Sequence, residues 1–156
     1  MIVRGVQIEM DAVVQTYAGD VSVEVAYAAL GADDKAVLVD VRTEAEWTFV
    51  GVPDLSVFDK QTILIEWQQF PSSLLNEGFA EQLSSLLAQK GLDERTPIYF
   101  LCRSGARSRN AAVAMTAHGY QSCFNIQEGF EGPLDEVGHR GGISGWKTSG
   151  FPWRQS

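Results

Sequence analysis

Residues 97–108 read Pro97-Ile98-Tyr99-Phe100-Leu101-Cys102-Arg103-Ser104-Gly105-Ala106-Arg107-Ser108. The first five are mostly large and apolar, and the polar turn after them leads into a helical pattern from Ser108 to His118 that Gly119 closes. This order predicts a buried strand that ends at Cys102 and a helix that begins close to it. Ligands of open α/β sheets bind at that edge of the sheet, so the turn is the candidate site.

Further apolar runs predict strands parallel to this one, and helical patterns lie between them. The predicted strands are 36–41, 63–67, 97–101 and 122–126, and the predicted helices are 23–30 with Ser22 as N-cap and Gly31 just past its end, 72–89, and 108–118. Strands that alternate with helices are typical of βαβ units. The predicted fold class is α/β: a single-domain, three-layer α/β/α structure with a mainly parallel central sheet.

The chain has 156 residues, 45% of them hydrophobic and 21% charged, and no linker-like tract divides it, so one domain is expected. Residues 1–20 are mixed and are interpreted as an N-terminal leader, an extra strand or a helix, with the domain at 21–156. Neither a run of the ~20 apolar residues needed to cross a bilayer nor a signal-peptide pattern is present. We therefore expect a cytoplasmic protein without a membrane partner.

Charge is distributed unevenly. Twelve basic and twenty acidic side chains give a net charge of −8, which argues against nucleic acid and anionic lipid as partners. Residues 95–127 nevertheless contain no carboxylate side chain and four arginines: Arg95, Arg103, Arg107 and Arg109. The sequence therefore predicts a local site for a small anion.

The turn at 102–108 has the composition of a reactive-thiol site. A helix N-terminus and two arginines favour the thiolate of Cys102. Gly105 permits a positive φ, which lets the N–H groups of residues 103–107 curl around an anion, and Arg103 and Arg107 supply charge-assisted hydrogen bonds. The other interpretation is an inert buried cysteine beside arginines that are there by chance.

The sequence resembles the rhodanese-like sulfurtransferase family between about Val21 and Trp153. Its active loop has the form Cys-Arg-x-Gly-x-Arg, and further matches lie along the chain. They are Val39-Asp40-Val41-Arg42-Thr43-Glu44-Ala45-Glu46-Trp47, Gly119-Tyr120 with Phe124-Asn125-Ile126, and Gly141-Gly142-Ile143-Ser144-Gly145-Trp146 with Gly150-Phe151-Pro152-Trp153.

The resemblance implies transfer of a sulfane sulfur through a persulfide on Cys102, from a small anionic donor such as thiosulfate to cyanide or a thiol, with no cofactor and no metal. A protein sulfur donor or acceptor is the other partner that the resemblance implies. Residues 103–108 would hold the sulfur and the departing anion. Asp40 and Arg42, at the end of the neighbouring predicted strand, are expected as supporting residues: Asp40 either orients an arginine or belongs to a salt bridge with no catalytic part.

Two segments depart from the family pattern or from a minimal length. Gly51-Val52-Pro53-Asp54-Leu55 stands where many members read Gly-His-Ile-Pro-Gly-Ala, which predicts a different rim but the same chemistry. Segment 127–140 is longer than a minimal link. Its charged residues Glu128, Glu131, Asp135, Glu136 and Arg140 are expected to shape access to the site.

Alternative functions differ in what they require of the turn. A Cys-x5-Arg phosphatase needs arginine where this chain has Ser108, and a non-enzymatic persulfide carrier would keep Cys102. Cys123 is interpreted as a reduced, buried small hydrophobe; the alternative is a resolving thiol. Cysteine and histidine spacing predicts no zinc site, and phosphate-binding glycine motifs are absent from the sequence.

Overall fold

Five parallel strands form the central sheet. A computed structural model describes residues 16–155. The strands of this sheet are β1 (Gly19–Val21), β2 (Val37–Asp40), β4 (Ile63–Leu64), β5 (Ile98–Leu101) and β6 (Cys123–Ile126). They lie in the order β1-β6-β5-β2-β4, which places β5 in the middle. Outside this sheet, β3 (Val52–Pro53) pairs antiparallel with β7 (Trp153–Arg154).

Helices cover both faces of the sheet. They are α1 (Val23–Ala32), α2 (Glu44–Phe49), α3 (Phe79–Gln89) and α4 (Ala106–Ala117), with a 3₁₀ turn at Ser56–Phe58. On one face, Leu83 of α3 and Met115 of α4 share a buried cluster with Phe100 of β5. On the other face, Leu30 of α1 and Trp146 share a cluster with Leu101. Alternate residues of β5 point to opposite faces, and the predicted three-layer α/β/α class is confirmed.

The strands β2, β5 and β6 lie within one residue of their predicted bounds at each end. Helix α4 begins at Ala106, two residues before the predicted start, because Gly105 serves as its N-cap. The end of the active loop is therefore already helical. The short helix α2 was not predicted, although Thr43 and Glu46 form a capping box at its start.

The helix predicted over 72–89 is wrong at its start, since α3 begins only at Phe79. Residues 68–76 fold back towards the preceding chain, where the Asn76 N–H donates to the Trp67 carbonyl at 2.9 Å. The backbone groups of this segment are paired within the turn, so they cannot form the first turns of a helix.

At α1 the predicted start is confirmed and the predicted end is wrong. Ser22 caps the helix by accepting a hydrogen bond from the Val25 N–H at 3.1 Å, but the helix continues through Gly31 to Ala32. A Cβ at Gly31 would lie 2.7 Å from the Phe58 ring. The glycine therefore allows an aromatic ring to pack against the helix.

The predicted leader overlaps the folded domain. Residues 1–15 lie outside the described residues, but β1 begins at Gly19 and pairs with β6 in the register Asp20 to Asn125. Tyr17 packs against the core. An extra strand, one of the interpretations of this segment, is what residues 19–21 form. Within residues 16–155 there is no helix long and apolar enough to cross a membrane.

Candidate active site

Cys102 comes directly after β5 and lies between the sheet and α4, with 1% of its surface exposed. Its Sγ accepts a hydrogen bond from the Gly105 N–H at 3.1 Å, and Ser108 Oγ lies 3.1 Å from the same sulfur. The central strand thus delivers the thiol to the N-terminus of a helix. The sulfur therefore has a backbone hydrogen-bond donor at the start of α4.

Gly105 gives the loop its shape. Its φ is +108°, in the left-handed region that glycine adopts without strain, and a Cβ there would collide with the Gln127 carbonyl. Among the described residues, the other amides of 103–107 make no hydrogen bond to Sγ. The first amides of α4 have no partner within the helix, so they can donate to an anion bound at the loop.

Arg107 is held by Glu46, a residue that was not among the predicted site residues. Its Nη1 lies 2.7 Å from Oε1 and its Nη2 lies 3.0 Å from Oε2, with about a fifth of each side chain exposed. Burial acts to raise the pKa of Glu46, but hydrogen bonds from the Arg107 side chain and the Thr43 backbone outweigh it and lower the pKa to about 2. The guanidinium charge of Arg107 is therefore largely compensated before any ligand binds.

A cleft of about 810 Å³ opens beside the loop. Its lining includes Arg103 and Arg107 together with Glu131 and Arg140 of segment 127–140. Because Glu46 compensates Arg107, the remaining charged side chains of this lining are two arginines and one carboxylate. The cleft is positive within a protein whose net charge is −8.

Asp40 and Arg42 form a pair with no exposed surface on either side chain. Arg42 Nη2 lies 2.6 Å from Asp40 Oδ2 and donates to the Gly51 carbonyl at 2.7 Å. The guanidinium stacks 4.2 Å from the centre of the Phe130 ring, and the Phe130 N–H donates to the Cys102 carbonyl at 2.8 Å. Asp40 does hold an arginine, and the pair reaches the loop through Phe130, with no hydrogen bond to residues 102–108 among those described.

Segment 127–140 contacts the loop through its backbone, and of its five charged residues Glu128, Asp135 and Glu136 do not line the cleft. Glu131 and Arg140 line the cleft, as expected of residues that shape access. Glu128 instead accepts a hydrogen bond from the Val23 N–H at the start of α1, and Asp135 accepts hydrogen bonds from backbone groups within its own turn. Segment 51–55, where a changed rim was expected, does not line the cleft.

A polar chain behind Cys102 was also not predicted. Ser108 Oγ lies 2.6 Å from Asn125 Oδ1, and Asn125 Nδ2 donates to Asp20 Oδ1 at 3.0 Å. Asn125 is 3% exposed. A polar residue inside an apolar strand was the signal in the sequence, since buried polar groups are as a rule hydrogen-bonded.

Cys123 lies on β6 with none of its surface exposed. Burial raises the pKa of its thiol to about 11, so it is almost entirely protonated near neutral pH. Two of the tryptophans pack as structural residues: Trp146 is fully buried, and Trp67 lies edge-on to Phe79 at 5.2 Å. No cluster of three or more metal-ligating side chains exists among residues 16–155.

A central parallel strand that delivers a cysteine into a glycine-containing loop at a helix N-terminus defines a cysteine-loop α/β domain. The chain belongs to the rhodanese-like family, and the model of the family described as the STR4 middle domain matches residues 18–156. Among curated proteins, Rhodanese-like domain-containing protein 4 of Arabidopsis thaliana is 30% identical over 132 residues, which are 82% of this chain and 24% of that protein.

In two further comparisons the match covers most of this chain and most or all of the other protein. The crystal structure of Rv0390 from M. tuberculosis superposes with a TM-score of 0.79 at 44% identity, covering 90% of this chain and all of that one. An uncharacterized protein of Rickettsia conorii is 40% identical over 129 residues, which are 83% of this chain and 91% of that protein. The fold is therefore shared with the M. tuberculosis protein over nearly the whole of its length.

Proposed function

We propose that this protein is a sulfurtransferase that carries a sulfane sulfur on Cys102. The observation that supports this most directly is the position of Sγ, which accepts the Gly105 N–H at 3.1 Å at the start of α4, whose first amides have no partner within the helix. A persulfide needs a hydrogen-bonded inner sulfur and donors around the outer one. The loop offers both within a single turn.

In the first half-reaction the Cys102 thiolate attacks the outer sulfur of the donor, for example thiosulfate. The new Cys102 S–S bond forms as the S–S bond of thiosulfate breaks, and its electron pair leaves with sulfite. The products are a persulfide anion on Cys102 and a sulfite dianion. No proton, oxidant or cofactor enters this step.

In the second half-reaction a nucleophile attacks the outer sulfur of the persulfide. Cyanide becomes thiocyanate, or a thiolate becomes a persulfide, and the electron pair of the broken bond returns to Cys102 as thiolate. This step needs a good leaving group, and the Gly105 N–H that bonds to Sγ stabilises the departing thiolate. The same hydrogen bond therefore serves both half-reactions.

Arg103 is the side chain best suited to the small anionic donor. It is exposed and lines the cleft, whereas the two terminal nitrogens of Arg107 are engaged by Glu46. We assign the donor anion and departing sulfite to Arg103 and Arg140. Arg107 then maintains the shape of the loop.

The geometry argues against phosphate-ester hydrolysis. A Cys-x5-Arg phosphatase needs a guanidinium at the position that Ser108 occupies here. Ser108 is fully buried and lies against Cys102 and Asn125. It has no charge with which to hold an equatorial phosphate oxygen.

A second candidate is a carrier that exchanges sulfur with a protein partner. The cleft lining includes Phe70 and Leu134, which are 70% and 54% exposed. Val137, 74% exposed, lies in the same loop as Leu134. Apolar side chains at the mouth contribute nothing to binding of thiosulfate, but they favour a protein surface that presents its own thiol.

Mass spectrometry of the intact protein tests the shared persulfide step. Incubation with thiosulfate should add one sulfur, about 32 Da, to the wild type and to Cys123→Ser. Cys102→Ser should stay unchanged. If neither thiosulfate nor another sulfane donor gives a Cys102-dependent adduct, the proposed function is wrong.

Two donors separate the enzyme from the carrier. An enzyme for small anions should turn over thiosulfate and cyanide many times, and Phe70→Ser with Leu134→Ser should leave that rate unchanged. A carrier should instead load faster from a cysteine desulfurase, and the same two substitutions should slow that loading.

A further inference from the structure

A hydrogen-bonded chain leads from the protein surface to the candidate nucleophile. Asp20 Oδ1 accepts from Tyr17 Oη at 2.7 Å and from Asn125 Nδ2 at 3.0 Å. Asn125 Oδ1 lies 2.6 Å from Ser108 Oγ, which lies 3.1 Å from Cys102 Sγ. Asp20 is exposed, whereas Asn125, Ser108 and Cys102 are buried.

The direction of this chain is set by Asp20. A carboxylate can only accept hydrogen bonds, so Asn125 must turn its Nδ2 towards Asp20 and its Oδ1 towards Ser108. The pairing of Asp20 with Asn125 in the β1–β6 register holds the two side chains side by side. An amide oxygen is also only an acceptor, so Ser108 must donate to it.

The orientation of Asn125 determines what Ser108 presents to Cys102. A serine hydroxyl has one hydrogen, and both Asn125 Oδ1, at 2.6 Å, and Cys102 Sγ, at 3.1 Å, are placed to accept it. The acceptor-only amide oxygen and the shorter contact assign it to Asn125. Ser108 then presents a lone pair to Sγ, which can accept from a protonated thiol but offers nothing to a thiolate. The Gly105 N–H favours the thiolate from the other side, so the two contacts on Sγ act in opposite directions.

We infer that Asp20 and Asn125 are positioning residues that, through Ser108, favour the protonated thiol of Cys102 in the resting protein. If Asn125 turns over, its Nδ2 faces Ser108 and the hydroxyl hydrogen becomes free to donate to sulfur. The hydrogen-bonded chain thus lowers the reactivity of the Cys102 thiol, and the carboxylate of Asp20 maintains the arrangement that does so. This inference rests on the proposed function only in naming Cys102 as the reacting group.

Other charged groups lie near the hydrogen-bonded chain, and a substitution at Asp20 leaves them in place. The charge of Arg107 acts on Cys102 and is paired with Glu46, and the charge of Arg109, on α4, acts on Tyr17. None of them donates to or accepts from Ser108 or Asn125. A substitution at Asp20 therefore changes the chain while it leaves these neighbours intact.

Asp20→Asn tests the inference, because asparagine keeps the size of the side chain and can donate to Asn125 Oδ1. The rate of iodoacetamide alkylation is followed across pH at the tryptic peptide 96–103, which contains Cys102 and not Cys123. We expect the rate profile of the variant to move to lower pH, with up to about tenfold faster alkylation on its acidic limb for a shift of one pH unit. An unchanged profile would overturn the inference.

A double-mutant cycle separates the chain from the simple loss of a surface charge. In the Ser108→Ala background the link is cut, so adding Asp20→Asn should leave the profile where Ser108→Ala alone puts it. A shift of the same size in both backgrounds would mean a through-space charge effect and would contradict the inference. Asn125→Ala provides a second background if Ser108→Ala does not fold.

Alkylation requires no sulfur donor, so this test is independent of the proposed function. A shift of the alkylation profile without any persulfide would support the role of the hydrogen-bonded chain and contradict the proposed sulfurtransferase function. A persulfide without any shift of the profile would support the proposed function and contradict the role of the hydrogen-bonded chain.

Discussion

The guanidinium of Arg107 and the carboxylate of Glu46 face each other, with Nη1 2.7 Å from Oε1 and Nη2 3.0 Å from Oε2. The two residues are 61 positions apart, and their contact joins the active loop to helix α2. Planar bidentate pairs of this kind fix orientation as well as contributing energy. The contact therefore ties the shape of the loop to a neighbouring element.

Loss of this pair should weaken both stability and transfer. We expect Glu46→Gln to lower the free energy of unfolding in urea by about 1–2 kcal/mol, and the persulfide-forming rate by roughly tenfold as the loop loses its tether. Asp93→Asn is the matched control, since the Arg95–Asp93 pair is well exposed at 79% and 50%. It should leave the free energy of unfolding nearly unchanged, because solvent screens a pair this exposed. Equal effects of the two substitutions would contradict a structural role for Glu46.

The same pair predicts an acid-sensitive stability. Burial acts to raise the pKa of Glu46, but the hydrogen bonds from Arg107 and Thr43 lower it from 4.5 to about 2 in the folded protein. Because the folded-state pKa lies below the unfolded one, the ionised carboxylate stabilises the fold above about pH 4.5, and this contribution is lost as the pH falls through about 2.

Urea unfolding at a series of pH values measures this loss. Between about pH 4.5 and 2 the wild type should lose up to about 3 kcal/mol more than Glu46→Gln, whose side chain cannot titrate. Parallel curves for the two proteins over that range would show that Glu46 is not held ionised by the fold.

Local sequence was sufficient to predict the structure at the centre of the site but not the structure of the segments around it. Residues 98–108 form a strand, a loop and a helix start that are contiguous, so apolar pattern and turn chemistry predicted them. The start of α3 was wrong because serines at 72–73 resemble an N-cap, while the true hydrogen bonds of this segment lead back to residues 67–69. Local propensity cannot distinguish these two arrangements.

Contacts between residues far apart in the sequence could not be predicted, for a different reason. Asp20 meets Asn125 across 105 positions because β1 pairs with β6 in one register, and a shift by one residue would turn the two side chains apart. The pairing of Arg107 with Glu46 likewise depends on where α2 packs. Both relationships are set by tertiary geometry, and the types of the residues alone do not specify them.

The buried Asp40–Arg42 pair should be costly to break. Asp40→Asn leaves Arg42, with no exposed surface, without its counter-charge, and Arg42 Nη1 already has no hydrogen-bond partner among the described residues. We expect a loss of about 3–5 kcal/mol in the free energy of unfolding, measured in urea. The double variant Asp40→Asn, Arg42→Met should recover part of it, because it removes the unpaired charge.

Transfer by the folded Asp40→Asn protein tests the orienting role. Arg42 stacks on Phe130, whose N–H holds the Cys102 carbonyl, so a displaced Arg42 should loosen the loop and slow sulfur transfer. The rate is measured at a urea-free condition where circular dichroism shows the variant folded. A rate near that of the wild type would mean that the pair is structural only.

Arg103 should control the affinity for an anionic donor and little else. Its side chain lines the cleft, while the Gly105 N–H that donates to Cys102 Sγ is a backbone group that Arg103→Gln leaves in place. We expect KM for thiosulfate to rise by about three- to tenfold, kcat to change less than about twofold, and the dependence of kcat/KM on salt to weaken. Arg95→Gln is the matched control, because it removes the same charge from the carboxylate-free span at a position outside the cleft. If both substitutions raise KM alike, the donor responds to the overall field of residues 95–127, and Arg103 has no specific place in the site.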